Sequence, residues 1–245
     1  MTGVYEIGGR RVRITSVYDE VHGLCRDYRD EEGEVDFPVE TLQADIDFER
    51  EKSRREAEYE GHPYVNYADP YLETLAVYRK IAEQMPLYDT VLFHGSCVAA
   101  DGRAYLFTAP SGTGKSTHTR LWRQLLGERA IMVNDDKPLL RIEPEAVTVF
   151  GTPWNGKHHL GCRMAAPLKG LCLLERAPVN RIERIEKRDA FLPLLQQIYR
   201  PADAVSLSRT MTLLERLIDT VPVFRLGCLP DLDAARLAYE VMGEE

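Results

Sequence analysis

The stretch Tyr105-Leu-Phe-Thr-Ala-Pro-Ser-Gly-Thr-Gly-Lys-Ser-Thr117 decides how the rest of the chain is read. An apolar run enters a loop containing Gly112 and Gly114, passes Lys115, Ser116 and Thr117, and continues into an amphipathic segment with Leu121, Trp122, Leu125 and Leu126. Strand, glycine loop and helix in that order make a phosphate-binding loop. The glycines let successive backbone N–H groups converge on phosphate oxygens, and the positive end of the helix adds to the attraction. The positions expected to line a nucleoside triphosphate are Ala109, Pro110, Ser111, Gly112, Thr113, Gly114, Lys115, Ser116 and Thr117, with Ala109 where the pattern has its first glycine. Lys115 is expected to neutralise the β- and γ-phosphates and Ser116 to offer its hydroxyl to Mg²⁺. The helix is expected over residues 115–126. A Gly/Ser/Thr-rich surface turn is the competing reading, and the legible strand and helix on either side argue against it.

The totals suit a soluble α/β protein. The chain has 245 residues, of which 44% are hydrophobic and 29% charged, and no apolar run approaches membrane-spanning length. Residues 1–13 alternate instead of forming an apolar block, so no leader is expected. A net charge of −8 argues against a general nucleic-acid coat and leaves room only for a local basic groove. Five scattered cysteines without C-x-x-C spacing predict buried thiols in a reducing, cytoplasmic compartment, not a disulfide framework or a zinc knuckle.

Before the loop, residues 4–7 and 12–17 read as a hairpin across Gly8-Gly9, residues 19–28 as a helix and 35–39 as a short strand. Residues 47–60 are almost wholly charged and read as an exposed helix or a mobile arm. Residues 71–84 read as a second helix carrying Leu72, Leu75, Ala76, Tyr78, Ile81 and Ala82. Residues 1–88 hold no nucleophile or metal constellation, and a small α+β N-terminal part is expected there. The catalytic and nucleotide-binding part is expected over residues 89–245. Within it, residues 91–99 read as one strand, 100–102 as a turn and 103–108 as the returning strand. Strands are also expected at 130–133, 138–142, 146–150, 170–174, 181–186 and 222–226, and helices at 189–199, 202–220 and 231–242. The class is α/β with a mixed β-sheet, since hairpins interrupt the parallel pattern.

A phosphate loop says only that a triphosphate is held; the chemistry belongs to what faces the γ-phosphate. Asp135 and Asp136 close an apolar strand twenty residues after Lys115. One acid in such a place holds Mg²⁺, and its neighbour can take a proton from an attacking hydroxyl. An Asx turn at a strand end is the plainer alternative. His94 follows three apolar residues and precedes Gly95, which by itself describes a core histidine as well as a catalytic one.

The series His94-Gly95, Ser111-Gly-Thr-Gly-Lys-Ser116 and Asn134-Asp-Asp136 resembles the HPr kinase/phosphorylase family, whose nucleotide-binding core is shared with phosphoenolpyruvate carboxykinases. The resemblance covers residues 91–136 and extends more weakly to Glu175. It implies a P-loop core of that type, ATP and Mg²⁺ as cofactors, and a serine or other hydroxyl as phosphoryl acceptor. Asp135 matches the acid that deprotonates the acceptor, Asp136 and Ser116 match the metal-side groups, and His94 matches the histidine near the reacting phosphate. Asn134 stands where the family has a small residue. HPr kinases assemble as hexamers, so a homo-oligomer is an expectation too.

The polar segment 151–161 is the other informative stretch. Trp154 can cover a ligand or plug the core edge, Asn155 and Lys157 are candidate substrate contacts, and adjacent His158 and His159 do not suit a metal. Arg163 and Lys169 are the candidate cations for the phosphates, while Arg200 and Arg209 read as solvated helix-end charges. The function expected is an ATP- and Mg²⁺-dependent kinase acting on a peptide or protein serine or a small hydroxylated metabolite such as free serine. The alternatives are a nucleotide-binding regulator that transfers nothing and a carboxykinase-type enzyme, for which the chain is about half the usual length.

Overall fold

Residues 1–156 and 159–244 are described in the computed structural model, and the chain divides into two compact units, Met1–Gln84 and Met85–Glu245. In the first, β1 (Thr2–Ile7) and β2 (Arg10–Thr15) form an antiparallel hairpin. Alternate residues Tyr5, Ile7, Val12 and Ile14 are buried, as the period of a strand dictates. The segment expected as a helix over 19–28 is two shorter pieces, α1 (Glu20–Leu24) and a 3₁₀ turn at Arg26–Tyr28. Gly23 weakens so short a helix, and Cys25 leaves helical geometry. β3 (Phe37–Glu40) then pairs parallel to β2, completing a three-stranded sheet.

Two helices finish the unit, α2 (Gln43–Glu60) and α3 (Asp69–Gln84). α2 is polar on nearly all sides, so ion pairs to α3 take the place of an apolar seam. Arg79 Nε lies 2.5 Å from Glu49 Oε1, and Lys80 Nζ lies 2.9 Å from Asp45 Oδ2. Glu73 is fully buried yet satisfied: its carboxylate accepts from Val17 N–H, Tyr18 N–H and the Thr41 hydroxyl at 2.7, 2.8 and 2.6 Å. A buried acid with three donors is a structural clasp.

The second unit begins with β4 (Thr90–Leu92), β5 (Ser96–Ala100), β6 (Arg103–Thr108) and α4 (Lys115–Leu126). β7 (Ala130–Asn134), β8 (Leu139–Ile142), β9 (Val147–Phe150) and the long β10 (Ala165–Arg176) follow. β11 (Arg181–Arg184), α5 (Lys187–Leu195), α6 (Ala204–Thr220), β12 (Val223–Cys228) and α7 (Leu232–Glu244) complete it. The strands make a nine-stranded mixed sheet in the order β4-β8-β9-β10-β6-β5-β7, with β12 beside β10 and β11 beside β12. β6, which delivers the glycine loop, runs parallel to β10 and antiparallel to β5.

Side chains alternate across this sheet. Ala104, Leu106, Leu171 and Leu173 face Leu194, Leu213, Leu214 and Leu217 of α5 and α6. Tyr105, Phe107, Cys172 and Leu174 face Leu121 and Trp122 of α4 and Ala238 and Met242 of α7. Helices thus cover both faces, which is why β6 and β10 read as nearly continuous apolar runs. Fully burying one such leucine or phenylalanine contributes about 1.5–3 kcal/mol.

Three departures from the sequence reading bear on the site. Residues 91–99 are not one strand: β4 lies at one edge of the sheet on β8, β5 lies inside it on β6, and His94-Gly95 is the link between them. Gly95 is required by close approach, since a Cβ there would come within 3.0 Å of Leu106 Cδ1 and of the Phe107 carbonyl. The strand expected at 170–174 is β10, twelve residues long. Its first half pairs antiparallel with β9 through Ala165, Ala166 and Pro167, and its parallel pairing with β6 starts at Leu168 and shifts register before Gly170. Pro167 disguised that half, because proline is rare inside sheets. The helix expected over 189–199 ends at Leu195, after Pro193 removes a helical N–H. Residues 197–199 instead line up against β4, with an isolated bridge between Phe93 and Ile198.

Candidate active site

The loop leaves β6 at Thr108 and enters α4 at Lys115. Gly112 and Gly114 have φ of 74° and 127°, values that side chains resist, so glycine is needed at both places. Lys115 folds across the loop and donates from Nζ to the Ala109 carbonyl at 2.8 Å. Burial lowers its pKa, and Asp136 works against that shift. Ser116 is exposed at the start of α4 and Thr117 is half-buried.

Beside the loop lies a cleft of about 420 Å³. One wall is Gly112, Thr113 and Gly114; the opposite, largely apolar wall includes Leu174, Ala177, Leu229 and Pro230. Arg176, the last residue of β10, donates from Nη2 to the Gly112 carbonyl at 2.6 Å. Backbone donors, a lysine and an adjoining cleft with apolar walls suit a nucleoside triphosphate. An exposed hydroxyl at Ser116 and the carboxylate of Asp136 are the hard oxygen donors that Mg²⁺ accepts alongside phosphate oxygens. Among the described residues no cluster of three His, Cys, Asp or Glu side chains stands ready to hold a metal unaided.

Several backbone links bring His94 and the acid pair to this corner. The Thr108 hydroxyl donates to the His94 carbonyl at 2.8 Å, and Gly95 N–H donates to the Asp136 carbonyl at 2.9 Å. His94 Nε2 lies 3.6 Å from Asp136 Oδ1, and Lys137 Nζ lies 3.7 Å from Asp136 Oδ2. Burial lowers the His94 pKa, the charge of Lys115 lowers it further, and Asp136 and a hydrogen bond to Gln197 oppose them. His94, Lys115 and Asp136 therefore sense one another's charge.

Asp135 points elsewhere. It is buried, and its Oδ1 accepts the Gly156 N–H at 2.5 Å. The segment 151–156 is fastened there by Asn134. Its Oδ1 accepts from the N–H groups of Asp136 and Lys137 at 2.9 and 2.7 Å, while Nδ2 reaches Thr152 Oγ1 at 3.0 Å. The pair of acids does sit on an Asx turn, in which the Asn134 side chain caps the N–H groups of Asp136 and Lys137.

The other residues singled out in the sequence lie as follows. Trp154 is buried, with its carbonyl 3.4 Å from Asn134 Nδ2. Asn155 Nδ2 donates to the Thr152 carbonyl at 3.2 Å. Lys157 and His158 lie outside the described residues. Arg163 is exposed on the segment after Cys162, and Lys169 is half-exposed within β10. Arg200 donates to the Leu195 carbonyl at 3.0 Å and Arg209 pairs with Asp89 at 3.3 Å, both on the surface. The cysteines are free thiols.

Sequence reasoning passed over Arg176 and Gln197. Arg176 ends the strand running beside β6, and strand ends next to a phosphate loop are the place to look for such a cation. Gln197 carried no signal, since its position depends on where a helix stops.

No family model matches this chain, and no curated protein matches it. Among solved structures it is similar to the Hpr(Ser) kinase/phosphatase from Coxiella burnetii, at 14% identity and a TM-score of 0.34, over 62% of this chain and 88% of that one. A likeness of that size leaves the functional reading to the site itself.

Proposed function

We propose that this chain is an ATP- and Mg²⁺-dependent phosphotransferase of the HPr kinase-like kind, passing the γ-phosphate to a hydroxyl. The observation that supports the reading is the approach of His94 Nε2 to Asp136 Oδ1 at 3.6 Å, with the charge of Lys115 also felt at His94, while Asp135 precedes Asp136 on the Asx turn and is held by Gly156 N–H. The loop amides and Lys115 bind and orient the triphosphate. Mg²⁺, when bound, supplies charge neutralisation at the phosphates, and Ser116 and Asp136 are the groups that would hold it. Asp135 takes the proton from the acceptor hydroxyl through Oδ2, since Gly156 N–H occupies Oδ1 and fixes the carboxylate's orientation. His94 orients the reacting group from the side of Lys115. Trp154 and Asn155 are read as contacts of the acceptor, with Lys157 and Arg163 as candidate cations.

The acceptor class is a serine, free or in a peptide or protein, or another small hydroxylated metabolite. The test is incubation with γ-labelled ATP, Mg²⁺ and a panel holding free serine, serine peptides and small polyols. Label passing to one acceptor class, with ADP formed in step, is the expected result. Tight ATP binding with no transfer to any acceptor would favour a nucleotide-binding regulator instead.

A further inference from the structure

Gln197 stands 103 residues after His94, yet the two are joined twice. His94 N–H donates to the Gln197 carbonyl at 2.7 Å, and His94 Nδ1 lies 3.1 Å from Gln197 Oε1. The segment is pinned there by Tyr199 N–H, which donates to the Leu92 carbonyl at 2.9 Å, and by the bridge between Phe93 and Ile198. An amide oxygen only accepts, so a hydrogen bond between these atoms requires the hydrogen on Nδ1. The neutral ring then leaves Nε2 bare. That atom lies 3.6 Å from Asp136 Oδ1, a second acceptor, and both side chains are about a third exposed, so a donor arriving from outside can bond to either.

We propose that Gln197 is a positioning residue: its amide oxygen holds His94 as the Nδ1–H tautomer, so that Nε2 accepts a hydrogen bond from a donor at the reacting centre. The inference rests on the reading that His94 faces the transferring phosphate. Its first step, the tautomer, stands or falls independently of that reading. Backbone contacts alone would place the ring; the side chain of Gln197 chooses which nitrogen carries the proton.

Two measurements on the full chain test it. Histidine labelled with ¹⁵N, observed by long-range ¹H–¹⁵N correlation, reports the tautomer of His94, with His94→Gln used only to assign the signal. The wild type is expected to show a protonated Nδ1 and a bare Nε2. Gln197→Leu is expected to lose that preference, and Gln197→Glu, whose carboxylate also accepts, to restore it. In transfer assays Gln197→Leu is expected to lower kcat roughly 10- to 100-fold with KM for ATP unchanged, and Gln197→Glu to recover most of the loss. Melting curves establish that both variants fold. A wild-type ring protonated on Nε2, which is what a reversed Gln197 amide would produce, overturns the proposal. So does a folded Gln197→Leu variant whose tautomer and kcat are unchanged. An Nδ1–H signature in a chain that phosphorylates nothing would sink the kinase reading and leave the tautomer assignment standing.

Discussion

Asn134 and Thr152 are joined side chain to side chain, Nδ2 to Oγ1 at 3.0 Å, both fully buried. The Thr152 hydroxyl donates onward to the Lys137 carbonyl at 3.1 Å. The amide of Asn134 therefore ties the acid turn to the segment that carries Thr152. Asn134→Ala should leave the N–H groups of Asp136 and Lys137 without their partner. A loss of about 2–4 kcal/mol in urea unfolding is expected, from several buried hydrogen bonds removed at once. Asn134→Ala within about 0.5 kcal/mol of wild type would show that the turn holds itself.

Gly156 is the second tie. A Cβ there would lie 3.1–3.3 Å from the carboxylate atoms of Asp135, tighter than ordinary contact. Gly156→Ala should displace that carboxylate by a few tenths of an ångström and lower kcat about tenfold, with little change in the affinity for ATP. Equilibrium binding of a fluorescent ATP analogue beside steady-state kinetics separates the two effects.

Lys115 gives the simplest binding prediction. Its ammonium is committed to the Ala109 carbonyl at 2.8 Å in the nucleotide-free loop, and phosphate oxygens should displace that bond. Lys115→Met should weaken ATP binding at least tenfold, measured by calorimetry, while AMP, which lacks the β- and γ-phosphates, should be affected far less.

His118 supplies a pH dependence of stability. It is buried on α4, its Nε2 accepts the Trp122 indole N–H at 3.1 Å, and burial lowers its pKa to about 4. The unfolded chain protonates this ring near pH 6.5, so between roughly pH 6.5 and 4 the unfolded state binds the extra proton. The contribution is fully present above about pH 6.5 and is lost as pH falls through that window, by roughly 3 kcal/mol in total. His118→Gln keeps an acceptor for Trp122 and should flatten the slope of unfolding free energy across the window. An unchanged slope would assign the acid sensitivity to other groups.

Much of the fold was legible because its strands are short, apolar and separated by turn residues, as at 100–102, and because Gly112 and Gly114 mark the turn between β6 and α4. The breaks were not legible where tertiary contacts set them. Val91 to Ala99 reads as a single apolar run, and only the packing of Gly95 against Leu106 and Phe107 makes it two strands in different places. The long β10 was hidden by Pro167, and the stop after Leu195 by an apolar periodicity that continues through Ile198. Within the site, His94 Nε2 comes within 3.6 Å of Asp136 Oδ1, a proximity that the spacing of the histidine did not by itself announce. Arg176 and Gln197 escaped notice because an arginine at a strand end and a glutamine past a helix look like ordinary surface polarity. The different partners of Asp135 and Asp136 were not legible, and the role of Asn134 in holding their turn is seen only in its buried hydrogen bonds.

The central claim, that Asp135 takes the proton from an acceptor hydroxyl while the loop holds ATP, is tested most directly by Asp135→Asn. The substitution keeps the shape and leaves an oxygen for Gly156 N–H, so the capping segment should stay in place. With the acceptor found in the labelled-ATP panel, kcat is expected to fall at least 100-fold while the dissociation constant for ATP changes less than threefold, consistent with the 10²–10⁴-fold that general-base catalysis contributes. Turnover at the wild-type rate in Asp135→Asn would contradict the account.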